Sequence, residues 1–214
     1  MTAGRHAADR NFRCANDNAT QIPAARLDRV GARAPPPHPP APMKSFLRVF
    51  MNICLLRAGP QDVPSARIVP LLAGAIYILV GAGVALSNYP PGQALAWSAL
   101  DTLLLAMLAH IALSWRGKRL RFPQTFSALA GSGALLSLCS WPVLLMLLRL
   151  PENDPRTALP SLLLVVSLLW SIVVIAHILR HALSSSYAAG LLLALLYVII
   201  SWNLSGLLFP PPAH

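Results

Sequence analysis

The chain has 214 residues, of which 56% are hydrophobic and 11% charged, less than half the roughly 25% charged of an ordinary soluble domain. That balance excludes a water-soluble globular protein. Seventeen Lys and Arg against seven Asp and Glu leave a net charge of +10, but the basic residues lie almost entirely outside the apolar stretches, with no face that interleaves basic and aromatic side chains, which fits anionic lipid headgroups and excludes a nucleic-acid-reading surface.

Residues 1–42 are polar, carry six Arg and end in 34–42, where six of nine residues are Pro. Such a segment cannot bury a core, and the expectation is disorder or extended polyproline. It lacks the short apolar stretch that a secretory signal needs. Met43 opens a different composition, Met-Lys-Ser-Phe-Leu-Arg. Two readings of 1–42 stay open: an upstream extension of the reading frame, or a flexible cytoplasmic tail.

In 43–66 the residues Lys44, Ser45, Arg48 and Asn52 recur at three- and four-residue spacing, with Phe46, Leu47, Phe50, Ile53 and Leu56 on the other side. That pattern predicts an amphipathic helix. It is too short to span, so it is expected to lie at the membrane surface with its basic face to phosphates, or to pack under the bundle. Gly59, Pro60 and Pro64 end it.

Five apolar stretches follow, about 68–86, 94–114, 122–148, 159–179 and 187–209. Each is close to the ~20 residues that cross a ~30 Å hydrocarbon core. The first two are separated by the turn Ser-Asn-Tyr-Pro-Pro-Gly-Gln, and the third opens at Pro123 with a bend expected near Pro142. Since unsatisfied backbone in lipid leaves helices as the available option, the predicted fold is all-α: a polytopic membrane protein with a bundle of five transmembrane helices over 67–214, preceded by an amphipathic interfacial helix.

The loops set an expected orientation. Ten Lys and Arg precede the first span, and Arg116, Lys118, Arg119 and Arg121 crowd the second loop. Arg180 follows the fourth span. The first loop has no charge, and in the third Arg149 and Arg156 are offset by Glu152 and Asp154. With Lys44, Arg48, Arg57 and the 116–121 cluster as surface-binding basic residues, the amino terminus is expected in the cytoplasm and the carboxyl terminus outside, in a bacterial inner membrane.

The segment Leu-Leu-Arg-Ala-Gly-Pro-Gln-Asp-Val-Pro before the first span, and Arg-Phe-Pro-Gln-Thr-Phe-Ser-Ala-Leu-Ala-Gly with the later Trp141-Pro142, resemble the bacterial branch of the Yip1-domain family over about 43–209. The resemblance implies a multi-pass membrane protein without known catalysis, an accessory or membrane-organising role, and other membrane proteins or a second copy as partners. Eukaryotic members of that family act in vesicle trafficking with small GTPases, a role that does not transfer to a bacterium-like sequence.

Three sets of residues carry candidate chemistry. Asp101 is the one charged side chain inside a span, at a depth where a lone carboxylate costs a few kcal/mol unless protonated or paired. Depth counting brings Ser140, Ser167 and Asn203 to its level, with Ser98 and Thr102 beside it. The polar layer reads either as a structural anchor between helices or as a proton or cation site of a small transporter or channel subunit. Ala130-Gly131-Ser132-Gly133 is similar to the Gly-x-Ser-Gly of rhomboid-type intramembrane proteases, which would pair Ser132 with His110 or His177. Ala130 replaces the first glycine there, and the motif falls on the wrong side of the membrane. His177 and His181, four apart, lack further metal ligands or a zincin motif. Cys14, Cys54 and Cys139 share no metal or disulfide spacing. No catalytic, metal or cofactor site is assigned.

Overall fold

The computed structural model describes residues 43–64, 66–151 and 154–209, with side chains from Leu47 onward. The readings of the 1–42 tail, of Cys14 and of the Lys44 side chain fall outside this description. All regular elements in it are helical. An amphipathic helix α1 (Met43–Cys54) precedes α2 (Ile68–Ala85), α3 (Pro91–Trp115), α4 (Phe122–Leu148), α5 (Ala158–Leu183) and α6 (Tyr187–Leu208). The last five are long and apolar enough to cross a membrane, so the chain is a polytopic helical bundle.

Two boundaries differ from the expected spans for local reasons. α3 starts at Pro91, because proline at a first helical position costs no hydrogen bond and has its φ already set. α5 runs past Arg180 to Leu183 and stops where Ser184 turns left-handed (φ 49°). The amide of Ser185 then reaches the Arg180 carbonyl. The same closure ends α3 at Gly117 (φ 67°), with Lys118 N–H on the Leu113 carbonyl, and α1 at Leu56 (φ 60°), with Arg57 N–H on the Asn52 carbonyl. Each is a Schellman stop, which satisfies carbonyls that a helix end otherwise leaves orphaned. α4 continues through Pro142 as one helix.

Packing arranges the five spans as a ring in the order α2, α4, α5, α6, α3, closed by the contact of α3 with α2. Small residues allow the close approaches. A β-carbon on Gly190 of α6 would fall 2.5 Å from the Ala176 carbonyl oxygen of α5, so only glycine lets these backbones meet. The buried core, including Leu105, Leu113, Leu129, Ile178 and Leu179, fills the half of the bundle nearest the Arg116–Arg121 loop, here called the basic end. In that loop Lys118 Nζ donates to the Leu183 carbonyl at 2.9 Å, and Arg121 reaches the Ala182 carbonyl at 3.4 Å. Two of the four loop cations therefore neutralise the negative end of α5. Arg116 and Arg119 stay exposed, flanking the exposed Trp115 and Leu120.

Helix α1 packs on α4 and α5. Ile53 is fully buried, and the Phe50 ring lies against Gly131. At its carboxyl end the Cys54 thiol faces the Ser132 carbonyl at 3.7 Å, and Trp170 Nε1 donates to the Cys54 carbonyl at 3.1 Å. Ser132 is ten residues into α4, about 15 Å at ~1.5 Å per residue. The chain then returns toward the basic end, with the Ala58 carbonyl 3.2 Å from His177 Nε2 and the Val63 carbonyl accepting from Gln124 near the start of α4. Burial, followed by the nearby Cys139, pushes the Cys54 thiol up to about 11, so it stands there as a protonated S–H. Arg48 and Arg57 remain exposed on this segment.

The seat of α1 is testable at Gly131. A methyl group there would collide with the Phe50 ring, and overpacking of this kind costs about 1–3 kcal/mol. In thermal unfolding of the detergent-solubilised chain, Gly131→Ala should be destabilising, and Gly131→Ala combined with Phe50→Ala should cost less than the sum of the two. Strict additivity would mean that α1 does not pack there.

Candidate functional site

Asp101 lies ten residues into α3 and is 8% exposed. A carboxyl this deep needs hydrogen-bond partners, and three hydroxyls supply them. Tyr77 Oη of α2 donates to Oδ2 at 2.6 Å; Tyr197 Oη and Ser201 Oγ, both of α6, donate to Oδ1 at 2.7 and 2.6 Å. No cationic side chain is among its partners. α2 and α6 flank α3 in the ring, so one carboxyl ties three consecutive helices. One further contact reinforces the α2–α3 side: Ser98 Oγ donates to the Ile78 carbonyl of α2. Thr102 Oγ1 turns back to the Ser98 carbonyl of its own helix.

The expected partners Ser140, Ser167 and Asn203 lie elsewhere around the ring. Ser140 and Ser167 bond to each other at 2.5 Å across α4 and α5, and Ser140 also donates to the Leu136 carbonyl. Asn203 is exposed on the outside of α6, its amide nitrogen donating to the Ile199 carbonyl. None of the three bonds to Asp101. The true partners had a signal: Tyr77 and Tyr197 place a phenol in the middle of an apolar span, where a buried O–H requires an acceptor. Asp101 is the only intramembrane carboxylate in reach.

Above this cluster, on the half of the bundle away from the basic end, the ring does not close on itself. It surrounds a cavity of about 670 Å³. Tyr77, Tyr197 and Ser201 are among its lining residues and Asp101 is not, so the carboxyl lies behind the side chains that bond it. The Ser140–Ser167 pair lies on another wall, and Trp97, Trp141 and Trp202 are also among the lining residues. No charged side chain lines it among the described residues. The mouth is tied by Tyr89 Oη, which donates to the Phe209 carbonyl at the end of α6 at 3.3 Å.

The other candidates are not assembled into sites. Ser132, 1% exposed, donates to the Ala128 carbonyl of its own helix at 2.7 Å. His110 is exposed, edge-on to Phe122, and His177 faces the Ala58 carbonyl; neither histidine is a hydrogen-bond partner of Ser132. The His177 and His181 rings contact each other at 4.5 Å, and no group of three metal-ligating side chains gathers among the described residues.

Comparison of this chain with protein-family models, with curated proteins and with solved structures finds no match.

Replacing Asp101 with Ala leaves three inward hydroxyls without their acceptor, at about 1–3 kcal/mol. Asp101→Asn keeps a carbonyl oxygen and should lose less. Thermal unfolding in detergent checks the order; an Asp101→Ala chain as stable as the parent would remove the tie.

Proposed function

We propose that this is a non-enzymatic, multi-pass membrane protein that holds a small molecule inside its bundle, as a small transporter or the binding subunit of one. The observation that carries the reading is the cavity of about 670 Å³ whose lining includes the three hydroxyl side chains bonded to Asp101. Its size falls in the range of small-molecule pockets, and it combines apolar walls with a few convergent polar groups, as such pockets do. The lack of a nucleophile–base contact at Ser132 favours binding over hydrolysis. A second reading has its own support: the Asp101 carboxyl finds its donors inside the protein, as a purely structural tie would. On that reading the chain is an accessory or membrane-organising protein of the kind the Yip1-domain resemblance implies.

Charge bias orients the bundle in this proposal. The ten Lys and Arg before α2, the 116–121 loop and Arg180 all fall on one side of five spans, which puts the basic end in the cytoplasm of a bacterial cell and opens the cavity toward the outer side. Anionic headgroups of the inner membrane then meet the exposed Arg48, Arg57, Arg116 and Arg119.

Two experiments test these statements. A reporter active only in the periplasm should be silent when fused after Arg121 and active at His214; the reverse pattern overturns the orientation. With the native cysteines replaced by serine, Ser167→Cys and Ser205→Cys should react from the outer face with a membrane-impermeant methanethiosulfonate. Protection of both would make the cavity a sealed packing defect and leave the structural reading in possession.

A further inference from the structure

The cavity's hydrogen-bonding character is set by where its hydroxyl protons go. Nine hydroxyl side chains line it, and seven of them spend their single proton on the protein. Tyr77, Tyr197 and Ser201 give theirs to Asp101, and Tyr89 gives its proton to the Phe209 carbonyl. Ser171 donates to the Leu168 carbonyl, and Ser140 to the Leu136 carbonyl. The Ser140 proton being used, the 2.5 Å contact with Ser167 is filled by the Ser167 proton. A hydroxyl has one proton and two lone pairs, so these seven have only lone pairs left to offer, while Ser137 and Ser205 keep their protons.

Three further features point the same way. The Asp101 carboxyl sits directly behind three of those oxygens and polarises them, drawing their protons inward. No lysine, arginine or histidine lines the cavity to offset it. Trp97, Trp141, Trp202 and Tyr89 are among its lining residues, and aromatic side chains attract cations where a ring face is met and water is excluded. A wall of hydroxyls whose protons are already used, backed by a buried acid, complements a positively charged donor. It disfavours an anion, and an alcohol can offer it one proton but no charge.

We infer that the cavity binds the protonated amine of an amphiphile, its ammonium directed at the Tyr77, Tyr197 and Ser201 oxygens and its apolar body along the indole-lined wall. Two lining donors are left over, the Ser137 and Ser205 hydroxyls, which make no hydrogen bond among the described residues. A hydroxyl or carbonyl oxygen next to the ligand's nitrogen would accept from them. This rests on the ligand-binding reading above and names the ligand's class. Two sources share the chemistry, a free lipophilic amine and the ammonium headgroup of an aminophospholipid.

The test uses the full chain in nanodiscs of phosphatidylcholine, whose net-neutral surface neither concentrates nor repels the probes and whose headgroup has no N–H, with empty nanodiscs subtracted. Three probes of equal chain length are compared by quenching of tryptophan fluorescence: octylammonium, octanol and octanoate. Octylammonium should saturate, octanol should bind at least tenfold more weakly, and octanoate should not compete. Asp101→Asn should weaken octylammonium at least tenfold while leaving octanol unchanged. The order among the probes stands on the parent protein alone, whether or not the variant folds. Octanol binding as tightly as octylammonium, or octanoate more tightly, would overturn the cationic assignment and leave the cavity reading intact. Saturable binding by none of the three would overturn the cavity reading itself. Repeating the octylammonium titration in phosphatidylethanolamine nanodiscs separates the sources. Weaker apparent binding there marks the lipid ammonium as occupant, and unchanged binding marks a free amine.

Discussion

The hydrogen bonds at Asp101 hold this bundle in its ring. Between helices in a bilayer there is no hydrophobic force comparable with that in water, because lipid tails are as apolar as leucine. Association rests on close packing and on polar contacts. Here one carboxyl on α3 accepts from Tyr77 on α2 and from Tyr197 and Ser201 on α6. The three helices are brought together at one level, and that level divides the molecule. Toward the basic end the ring is filled; toward the other end it surrounds the cavity.

The filled half explains how an open half is tolerated. Gly190 lets α6 meet α5 at backbone distance, and Gly131 admits the Phe50 ring of α1. Lys118 and Arg121 cover the carbonyl end of α5. These contacts all lie on the basic side of Asp101, so the far halves of α2, α4, α5 and α6 can splay without unravelling the bundle. At the far rim the Tyr89 contact with Phe209 is a light tie by comparison. A ring anchored at one end and open at the other is a form in which a molecule can be admitted without dismantling the core.

Much of this was legible in the residues. Five apolar runs bounded by Pro, Gly and charge located every span, since length and unsatisfied backbone leave little choice in lipid. The extension of α5 to Leu183 was missed because Arg180 and His181 read as loop, although charged residues in a last turn suit a helix end. At the site, counting from the helix ends singles out Asp101 as a carboxyl deep in a span, because rise per residue is fixed. The facing of the polar side chains was not legible. It depends on the order of helices around the ring, which apolar sequences with little periodicity do not encode. Tyr77 and Tyr197 were not legible as partners for the same reason, since a phenol in an apolar span shows no facing until its neighbours are known.

The account stands or falls on whether the Asp101 carboxyl holds its neighbours. A double-mutant cycle with Tyr197 measures that coupling by thermal unfolding of the detergent-solubilised chain. In the parent, Tyr197→Phe should cost about 0.5–1.5 kcal/mol, the scale of a hydrogen bond between membrane helices. In the Asp101→Ala chain the same substitution should cost close to nothing, because the phenol has already lost its acceptor. An equal cost in both backgrounds would contradict the account.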